Sequence, residues 1–248
     1  HQETDQDTTV LSTYDYTLGD DGMIDSVVEH VREGSGSVFS DQTITNGYDG
    51  DGRLTSESYD VPTNTALVHD WSASYTYDLS GNRITKDRYD ANLTTGDPYL
   101  SSHDLSAYDA DDRRIARAVD ANGDGTYEAT EGYVYDPDGA ADNVVLVTDG
   151  AGNVTHRLLQ GPAAHQVLAD EDLGKPANDI TRTTWLLSDN QQSVRDVVDG
   201  AGTSLDHLVY DGYGNVVSQS SPTHAPRFTY TGMQADAATG LLYDFHRY

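Results

Sequence analysis

The sequence predicts an all-β protein, an array of antiparallel β-hairpins, and two observations support this. Seventeen of the 248 residues are Tyr, and nine of these are followed directly by Asp. Many of the Tyr-Asp pairs follow an alternating segment and lead into a turn containing Gly. Alternation with aromatic and β-branched residues suits a half-buried strand. Each such pair therefore marks the end of one strand and the start of a turn.

The Tyr-Asp pairs recur at a regular interval. They begin at Tyr14, Tyr48, Tyr59, Tyr77, Tyr89, Tyr108, Tyr135, Tyr210 and Tyr243. Tyr48, Tyr77, Tyr108 and Tyr135 are separated by 29, 31 and 27 residues, a period typical of a repeat array. Because one hairpin is marginal alone, neighbours should pair edge to edge. We predict one continuous array across residues 1–248.

The turns themselves have a common pattern, seen in YDGDGRL from residue 48, YDLSGNRI from 77 and YDGYGNVV from 210. An Asp at the start of a turn can accept hydrogen bonds from backbone amides beyond it. A Gly four residues after the Tyr, such as Gly214, can take the positive φ that such a turn requires. TDGAGNVT and VDGAGTSL, from 148 and 198, are variants without Tyr.

One segment has helical spacing, with Ile24, Val27, Val28 and Val31 on one face between two glycines. Taken alone, that period favours a short amphipathic helix. Three β-branched Val residues and the hairpin rhythm downstream favour strands instead. We predict a strand pair here.

Charge and composition limit the function. The chain has 42 acidic and 14 basic residues, a formal net charge of −28. Such a surface repels nucleic acids and anionic membranes, so we expect neither as a partner. The absence of Cys excludes disulfides and thiolate metal sites. No apolar run approaches the length of a membrane span. Cations are the natural partners.

The stretch DANGDGTYEATE, residues 120–131, has the spacing of a twelve-residue calcium loop. Its candidate ligands are Asp120, Asn122, Asp124, Thr126, Glu128 and Glu131. Residues on both sides are typical of strands, so we expect a structural calcium ion in a loop between two strands of the array, outside an EF-hand. The alternative is an ordinary acidic turn that binds no ion tightly.

The Tyr residues allow two interpretations. Exposed aromatic rings can stack on sugars, whereas Tyr on a strand covers its cross-strand neighbours and keeps its hydroxyl bonded or wet. Their regular positions favour the structural role for Tyr48, Tyr77, Tyr108, Tyr135 and Tyr210. Motifs typical of zinc proteases, serine hydrolases and phosphate loops are absent from the sequence. We therefore expect no enzymatic activity.

Two segments carry a family resemblance. LLSDNQQSVRDVVDGAGT at 186–203 and RFTYTGMQADAATGLLYDFHRY at 227–248 resemble the YD-repeat family, which includes Rhs proteins, C components of insecticidal toxin complexes, and teneurins. Residues 205–248 resemble the Rhs-associated core. The matching positions are Phe228, Tyr230, Thr231, Gly232, Asp236, Thr239, Gly240, Leu241, Tyr243, Arg247 and Tyr248.

The sequence also departs from that family. Met233 stands where the family usually has Gln, and Asn190, Gln191 and Gln192 replace the usual His-Leu-Gly. The self-cleaving Asp motif of toxin-bearing members follows the Arg-Tyr pair and has no counterpart within the 248 residues. We therefore expect a fragment of a longer chain that lacks the self-cleavage residues.

The resemblance implies a sheet that spirals into a hollow β-shell, closed around a C-terminal effector in toxin-bearing members. We therefore expect an extracellular or surface-bound, secreted bacterial scaffold stabilised by calcium. Its partners would be a C-terminal effector or neighbouring repeats of the same polypeptide. One alternative is an adhesive module that recognises a protein or a glycan. Another is a self-processing protease completed by a downstream segment.

Overall fold

The computed structural model describes residues 2–4, 10–32, 39–62, 69–95, 97–137, 143–163, 165–236 and 242–243. Regular structure in these residues is almost entirely β, which confirms the predicted fold class. The strands are β1 Gln2–Thr4, β2 Val10–Leu18, β3 Ile24–Arg32, β4 Phe39–Tyr48, β5 Leu54–Asp60, β6 Trp71–Tyr77, β7 Arg83–Ala91, β8 Pro98–Tyr108, β9 Arg114–Asp120, β10 Ala129–Tyr135, β11 Val144–Asp149, β12 Val154–Gln160, β13 Val167–Asp172, β14 Thr183–Ser188, β15 Val194–Val198, β16 Ser204–Tyr210, β17 Val216–Gln219, β18 Gln234–Ala235 and β19 Leu242–Tyr243.

Strand β18 pairs antiparallel with β19. Strands β1–β8 pair antiparallel, each with the next in sequence. Strands β10–β17 do the same. This order is the hairpin array that the sequence predicts.

Helical structure among the described residues is confined to the 3₁₀ turns Pro222–His224 and Tyr230–Gly232. None of the helices found in the described ranges has the length and apolarity needed to cross a bilayer. The segment with helical spacing forms strand β3, which pairs with β2 on one side and β4 on the other. The predicted strand is confirmed because pairing on both sides outweighs a local helical period.

The turns have the predicted backbone geometry. Gly52, Gly81 and Gly214 have φ values of +79°, +94° and +92°. Asp112 and Gln192 occupy the same turn position with φ values of +61° and +67°. That region is sterically unfavourable for residues with a Cβ. The turns at 109–113 and 189–193 therefore tolerate a backbone strain that Gly relieves elsewhere.

The chain divides into two compact units. The first comprises His1–Leu105 and Val119–Glu128, and the second comprises Ser106–Ala118 and Ala129–Tyr248. Side chains of the first unit are mostly half-buried. They contact one another across strands, as in the stacked rings of Tyr59 and Trp71, whose centroids are 5.9 Å apart.

The second unit has a continuous apolar core. Its buried members are Tyr133, Val144, Val147, Leu158, Val167, Leu186, Val194, Val197, Leu208, Tyr210 and Phe228. Alternation along β14 illustrates its origin, because Leu186 is 4% exposed while Trp185 and Leu187 are 42% and 51% exposed. Phe228, which follows the last strand of the array, is 2% exposed. The C-terminal segment thus completes the core.

Candidate functional site

In the part of the chain that the structure describes, seven turns are organised by one Asp each. At the first, the Asp49 N–H donates to the Arg53 carbonyl, and the Asp49 carbonyl accepts from the Gly52 N–H, both at 3.0 Å. The Asp49 carboxylate also accepts from the N–H groups of Asp51 and Arg53. The same four bonds recur at Asp78, Asp109, Asp149, Asp189, Asp199 and Asp211. The Asp of each Tyr-Asp pair at these turns thus closes the turn.

A Tyr at the end of a strand, in a Tyr-Asp pair, reaches the neighbouring strand. The Tyr77 hydroxyl donates to the Leu54 carbonyl at 2.6 Å, and the Tyr210 hydroxyl donates to the Val194 carbonyl at 2.9 Å. Tyr48 and Tyr135 make equivalent bonds to the carbonyls of Ile24 and Arg114. Leu54, Arg114 and Val194 each lie five residues after the Asp of an earlier turn. Ile24 lies five residues after Gly19, whose N–H and carbonyl close a turn over residues 19–23. Tyr108 occupies the same position, at the end of β8.

An Arg completes the motif at three turns. Arg53 donates through Nε to the Asp49 carboxylate at 2.7 Å, and its guanidinium lies 5.0 Å from the centre of the Tyr77 ring. The sets Asp109, Arg113, Tyr135 and Asp189, Arg195, Tyr210 repeat this arrangement. We call these Asp turns, with their Tyr and Arg partners, the turn lattice. An Arg four residues after the Asp was the sequence signal for Arg53 and Arg113 that our sequence analysis missed.

The predicted glycines have specific roles. A Cβ on Gly214 would lie 2.7 Å from the Tyr230 ring, and one on Gly232 would lie 2.2 Å from the His165 carbonyl oxygen. Gly232 has a φ of +76° and is buried. Both positions therefore require Gly for space as well as for backbone conformation. Gly240, the third predicted glycine, lies outside the described residues.

The acidic loop joins β9 to β10, so the calcium motif is flanked by strands. Carboxylate oxygens of Asp120, Asp124 and Glu128 lie within 4.8 Å of one another. The Asp124 N–H donates to the Asn122 Oδ1 at 2.9 Å, and the Thr126 N–H donates to the Asp124 Oδ1 at 2.8 Å. Closely spaced carboxylate and amide oxygens fit a hard cation such as Ca²⁺.

Asp120 organises this loop from within. Asp120 is 2% exposed, and its carboxylate accepts N–H bonds from Gly123 at 2.6 Å and Gly125 at 2.8 Å. Burial opposes ionisation, but these backbone donors hold the pKa of Asp120 below its usual value. The loop is therefore closed by its own backbone amides.

Glu131, the last predicted ligand, belongs to the second unit and has other partners. Its carboxylate accepts from Arg227 Nη1 and from the Tyr133 hydroxyl, each at 2.8 Å. Burial raises the pKa of Glu131, but the Arg227 charge and these bonds leave it lowered overall. The structure thus brings Asp120, Asp124 and Glu128 together and gives Glu131 a separate ion pair.

A buried polar cluster fixes the C-terminal segment of the second unit. Arg114 is 1% exposed; its N–H donates to the Tyr243 hydroxyl at 3.0 Å, and its Nη2 donates to Gln234 Oε1 at 2.9 Å. Its guanidinium also lies 4.0 Å from the centre of the Tyr243 ring. Arg117 donates to Asp236 Oδ1 at 2.6 Å. We call Arg114, Arg117, Gln234, Asp236 and Tyr243 the C-terminal anchor.

The C-terminal anchor explains part of the family-like signature. Asp236 and Tyr243 are both signature positions, and both lie buried against Arg side chains of β9. Burial raises the pKa of the Tyr243 hydroxyl, which therefore stays protonated. Sequence analysis found these two residues but not Arg114 or Arg117, because isolated arginines carry no local pattern.

No protein-family model matches the chain. Among curated proteins, it is similar to the tRNA3(Ser)-specific nuclease WapA of Bacillus spizizenii, 26% identical over 233 residues. It is also similar to the tRNA nuclease WapA of Bacillus subtilis, 27% identical over 233 residues. Each alignment covers 90% of this chain and 9% of the nuclease. The chain thus spans a small part of the relatives it matches.

Solved structures give a weaker similarity. A crystal structure of TcdB2-TccC3-Cdc42 matches at a TM-score of 0.43 and 14% identity, over 98% of this chain and 15% of that chain. The Photorhabdus luminescens Tc holotoxin pore matches at a TM-score of 0.35 and 15% identity, over 97% of this chain and 15% of that chain.

The curated relatives correct one expectation. We expected no enzymatic activity, yet both relatives are nucleases by name and align with 90% of the chain. The expectation was wrong because it rested only on the absence of known catalytic motifs from these 248 residues. A segment that aligns with 9% of a nuclease need not contain a motif that such a search recognises.

Proposed function

We propose that this chain is a stretch of YD-repeat scaffold of the Rhs type within a larger secreted bacterial toxin, where its sheet helps to enclose a C-terminal effector. The observation that carries the proposal is the turn lattice. Each lattice Tyr bonds the neighbouring strand, so successive turns are fastened to one another without a ligand. A sheet whose turns are fastened in this way is suited to enclosing an effector.

The effector of the complete protein would be a nuclease that acts on RNA. Support comes from the alignment of 90% of this chain with two proteins named as tRNA nucleases. The acidic surface is compatible with a scaffold that encloses an RNA-cleaving effector. A chain of net charge −28 would not retain the RNA substrate or its products. RNA would be bound by the effector.

Calcium would stabilise the scaffold outside the cell. The clustered oxygens of Asp120, Asp124 and Glu128 support this role. An ion that binds only the folded loop would add to the stability of the first unit. The calcium ion would have a structural role and take no part in catalysis.

The first experiment is to sequence the encoding gene beyond residue 248 and to measure the mass of the isolated protein. We expect further repeats and a variable C-terminal domain. The second is limited proteolysis of the intact protein, followed by a tRNA-cleavage assay of the released domain. An enclosed effector should resist trypsin in the intact protein and be digested when expressed alone. Equal digestion in both forms would contradict enclosure, and a gene without an effector would contradict the whole proposal.

An adhesive surface is the second candidate function, favoured by exposed side chains on one face of β12–β14. Leu159 and Trp185 lie opposite Ala169 on the two sides of β13, and they are 50% and 42% exposed. Exposed apolar and aromatic patches often mark binding surfaces. A glycan array with the wild-type chain and a Trp185→Ala variant tests it, and an adhesin should lose signal in the variant without losing stability.

A further inference from the structure

A cavity of about 290 Å³ lies in the second unit, apart from the acidic loop. Strands β12–β15, the loop after β13 and residues 222–227 supply its lining. Its apolar part is formed by the core residues Leu186 and Val197 together with Ala225 and Pro226. Most of the remaining lining is polar or charged. A concave site with a small apolar area and convergent polar groups is the usual form of a small-molecule site.

The lining is unusually basic for this protein. The chain has 14 Lys and Arg residues against 42 acids. Five basic side chains nevertheless surround this cavity: His156, Lys175, Arg182, His224 and Arg227. The two carboxylates of the lining, Asp170 and Asp172, come from β13. Basic groups are therefore concentrated at one point of a strongly acidic molecule.

Several of these basic groups retain unused donors. Arg182 donates through Nε to Glu171 and through Nη1 to the Lys175 carbonyl. Arg227 donates through Nη1 to Glu131, while its Nε is buried and has no hydrogen-bond partner within the described residues. A guanidinium carries five N–H donors in a fixed plane. The remaining N–H donors of Arg182, and those on Arg227 Nη2, are thus the ones available to an acceptor inside the cavity.

Both imidazoles are anchored by one nitrogen. His156 Nδ1 lies 2.7 Å from Asp170 Oδ1, and His224 Nδ1 lies 3.0 Å from the Ser221 hydroxyl oxygen. In the described part of the chain, neither Nε2 atom has a hydrogen-bond partner. Anchoring one ring nitrogen fixes the ring orientation and leaves the other nitrogen for a ligand.

We propose that this cavity binds a small ligand through an oxyanion, either phosphate or carboxylate. Each Arg and Lys already has an acidic neighbour, so affinity comes from directed N–H donors more than from net charge. Asp170 and Asp172 would accept hydrogen bonds from a hydroxyl or amine of the same ligand. This site is independent of the scaffold role proposed above.

The test is calorimetric titration of the 248-residue chain with inorganic phosphate and, separately, with acetate at low ionic strength. Ring C–H signals of the histidines, followed by NMR and assigned with His156→Gln and His224→Gln, locate the binding. Lys175→Gln removes one donor at a side chain that is 36% exposed. Arg157→Gln is the matched control, since it removes the same charge from a 62% exposed side chain outside the lining. Thermal unfolding shows whether each variant is folded.

We expect saturable binding that shifts the His156 and His224 signals and weakens about tenfold in Lys175→Gln, the usual effect of losing one charge-assisted hydrogen bond. Arg157→Gln should bind as the wild type does. Binding of phosphate alone identifies a phosphorylated ligand, and binding of acetate identifies a carboxylate. Absence of saturation with both anions, or equal weakening in Arg157→Gln and Lys175→Gln, would overturn the proposal.

Discussion

The Tyr210 hydroxyl donates to the Val194 carbonyl at 2.9 Å, and both residues are buried. The bond joins the end of β16 to the start of β15, so it fastens two successive turns at the same end of the strands. The turns at Asp149 and Asp199, which follow Thr148 and Val198, lie at the opposite end of the strands. The Asp189 turn, which follows Ser188, shares its end of the strands with the Asp211 turn.

Tyr210→Phe should remove this bond and keep the ring. We expect the free energy of unfolding to fall by about 1 kcal/mol, the net contribution of one hydrogen bond. Part of that loss arises because the buried Val194 carbonyl no longer has this donor. Urea denaturation should show a lower midpoint with an unchanged slope. Tyr213→Phe is the control, because Tyr213 is 91% exposed. A similar loss in both variants would show that the Val194 bond has no specific role.

Acid should weaken the turns. The Asn215 side chain and the Tyr213 N–H lower the pKa of Asp211 from its ordinary 3.8. The resulting stability is present above that ordinary value and is lost as the pH falls through the lower folded-state pKa. Urea midpoints of wild type and Asp211→Asn, measured from about pH 7 to about pH 2, should therefore converge at the acid end. A constant difference across this range would contradict the assignment.

His30 gives the opposite pH dependence. The hydrogen bond to Asp41, with a further contribution from Asp15, raises the pKa of His30 above 6.5. Its contribution is complete below that ordinary value and disappears as the pH rises through the raised folded-state pKa. Melting temperatures of wild type and Asp41→Asn should differ most near pH 5.5 and approach each other by about pH 8.5. A pH-independent difference would assign the effect to packing.

Calcium should stabilise the acidic loop. The wild-type chain should melt at a higher temperature in excess Ca²⁺ than in excess chelator, because the ion binds only the folded loop. Asp124→Asn should abolish that difference, since it removes one of the three clustered carboxylates. Asp111→Asn, a change at an exposed turn acid outside the loop, should preserve it. Equal melting of the wild type in both buffers would identify the loop as an acidic turn without an ion.

Substitution in the C-terminal anchor should lower the free energy of unfolding more than substitution at an exposed ion pair. Arg117→Gln removes the ion pair that Arg117 makes with the Asp236 carboxylate, which is 1% exposed in the fold. Breaking a buried ion pair costs about 3–5 kcal/mol. Arg157→Gln, at a largely exposed pair with Glu171, should cost less than about 1 kcal/mol. Chemical denaturation of both variants compares them directly, and a small effect of Arg117→Gln would mean that water reaches Asp236.

The hairpin array and its turn geometry could be predicted from sequence because their signals are local. Tyr77, Asp78 and Gly81 stand within five residues, and each has the role that its chemistry suggests. The C-terminal anchor could not be predicted in this way. Arg114 and Tyr243 are 129 residues apart, and one sequence gives no sign that they meet. The cavity could not be predicted for the same reason, since its basic residues come from three separate segments.

The separation of Arg114 and Tyr243 also orders the folding of the second unit. Lattice contacts such as Tyr210 to Val194 close loops of 16 residues, whereas the Arg114 to Tyr243 contact closes one of 129. Because closure entropy rises with loop length and local contacts form first, the long-range contact should be the last to form. During synthesis, β9 would leave the ribosome long before its partner. The core of this unit would then remain incompletely covered until the segment that carries Tyr243 has been synthesised.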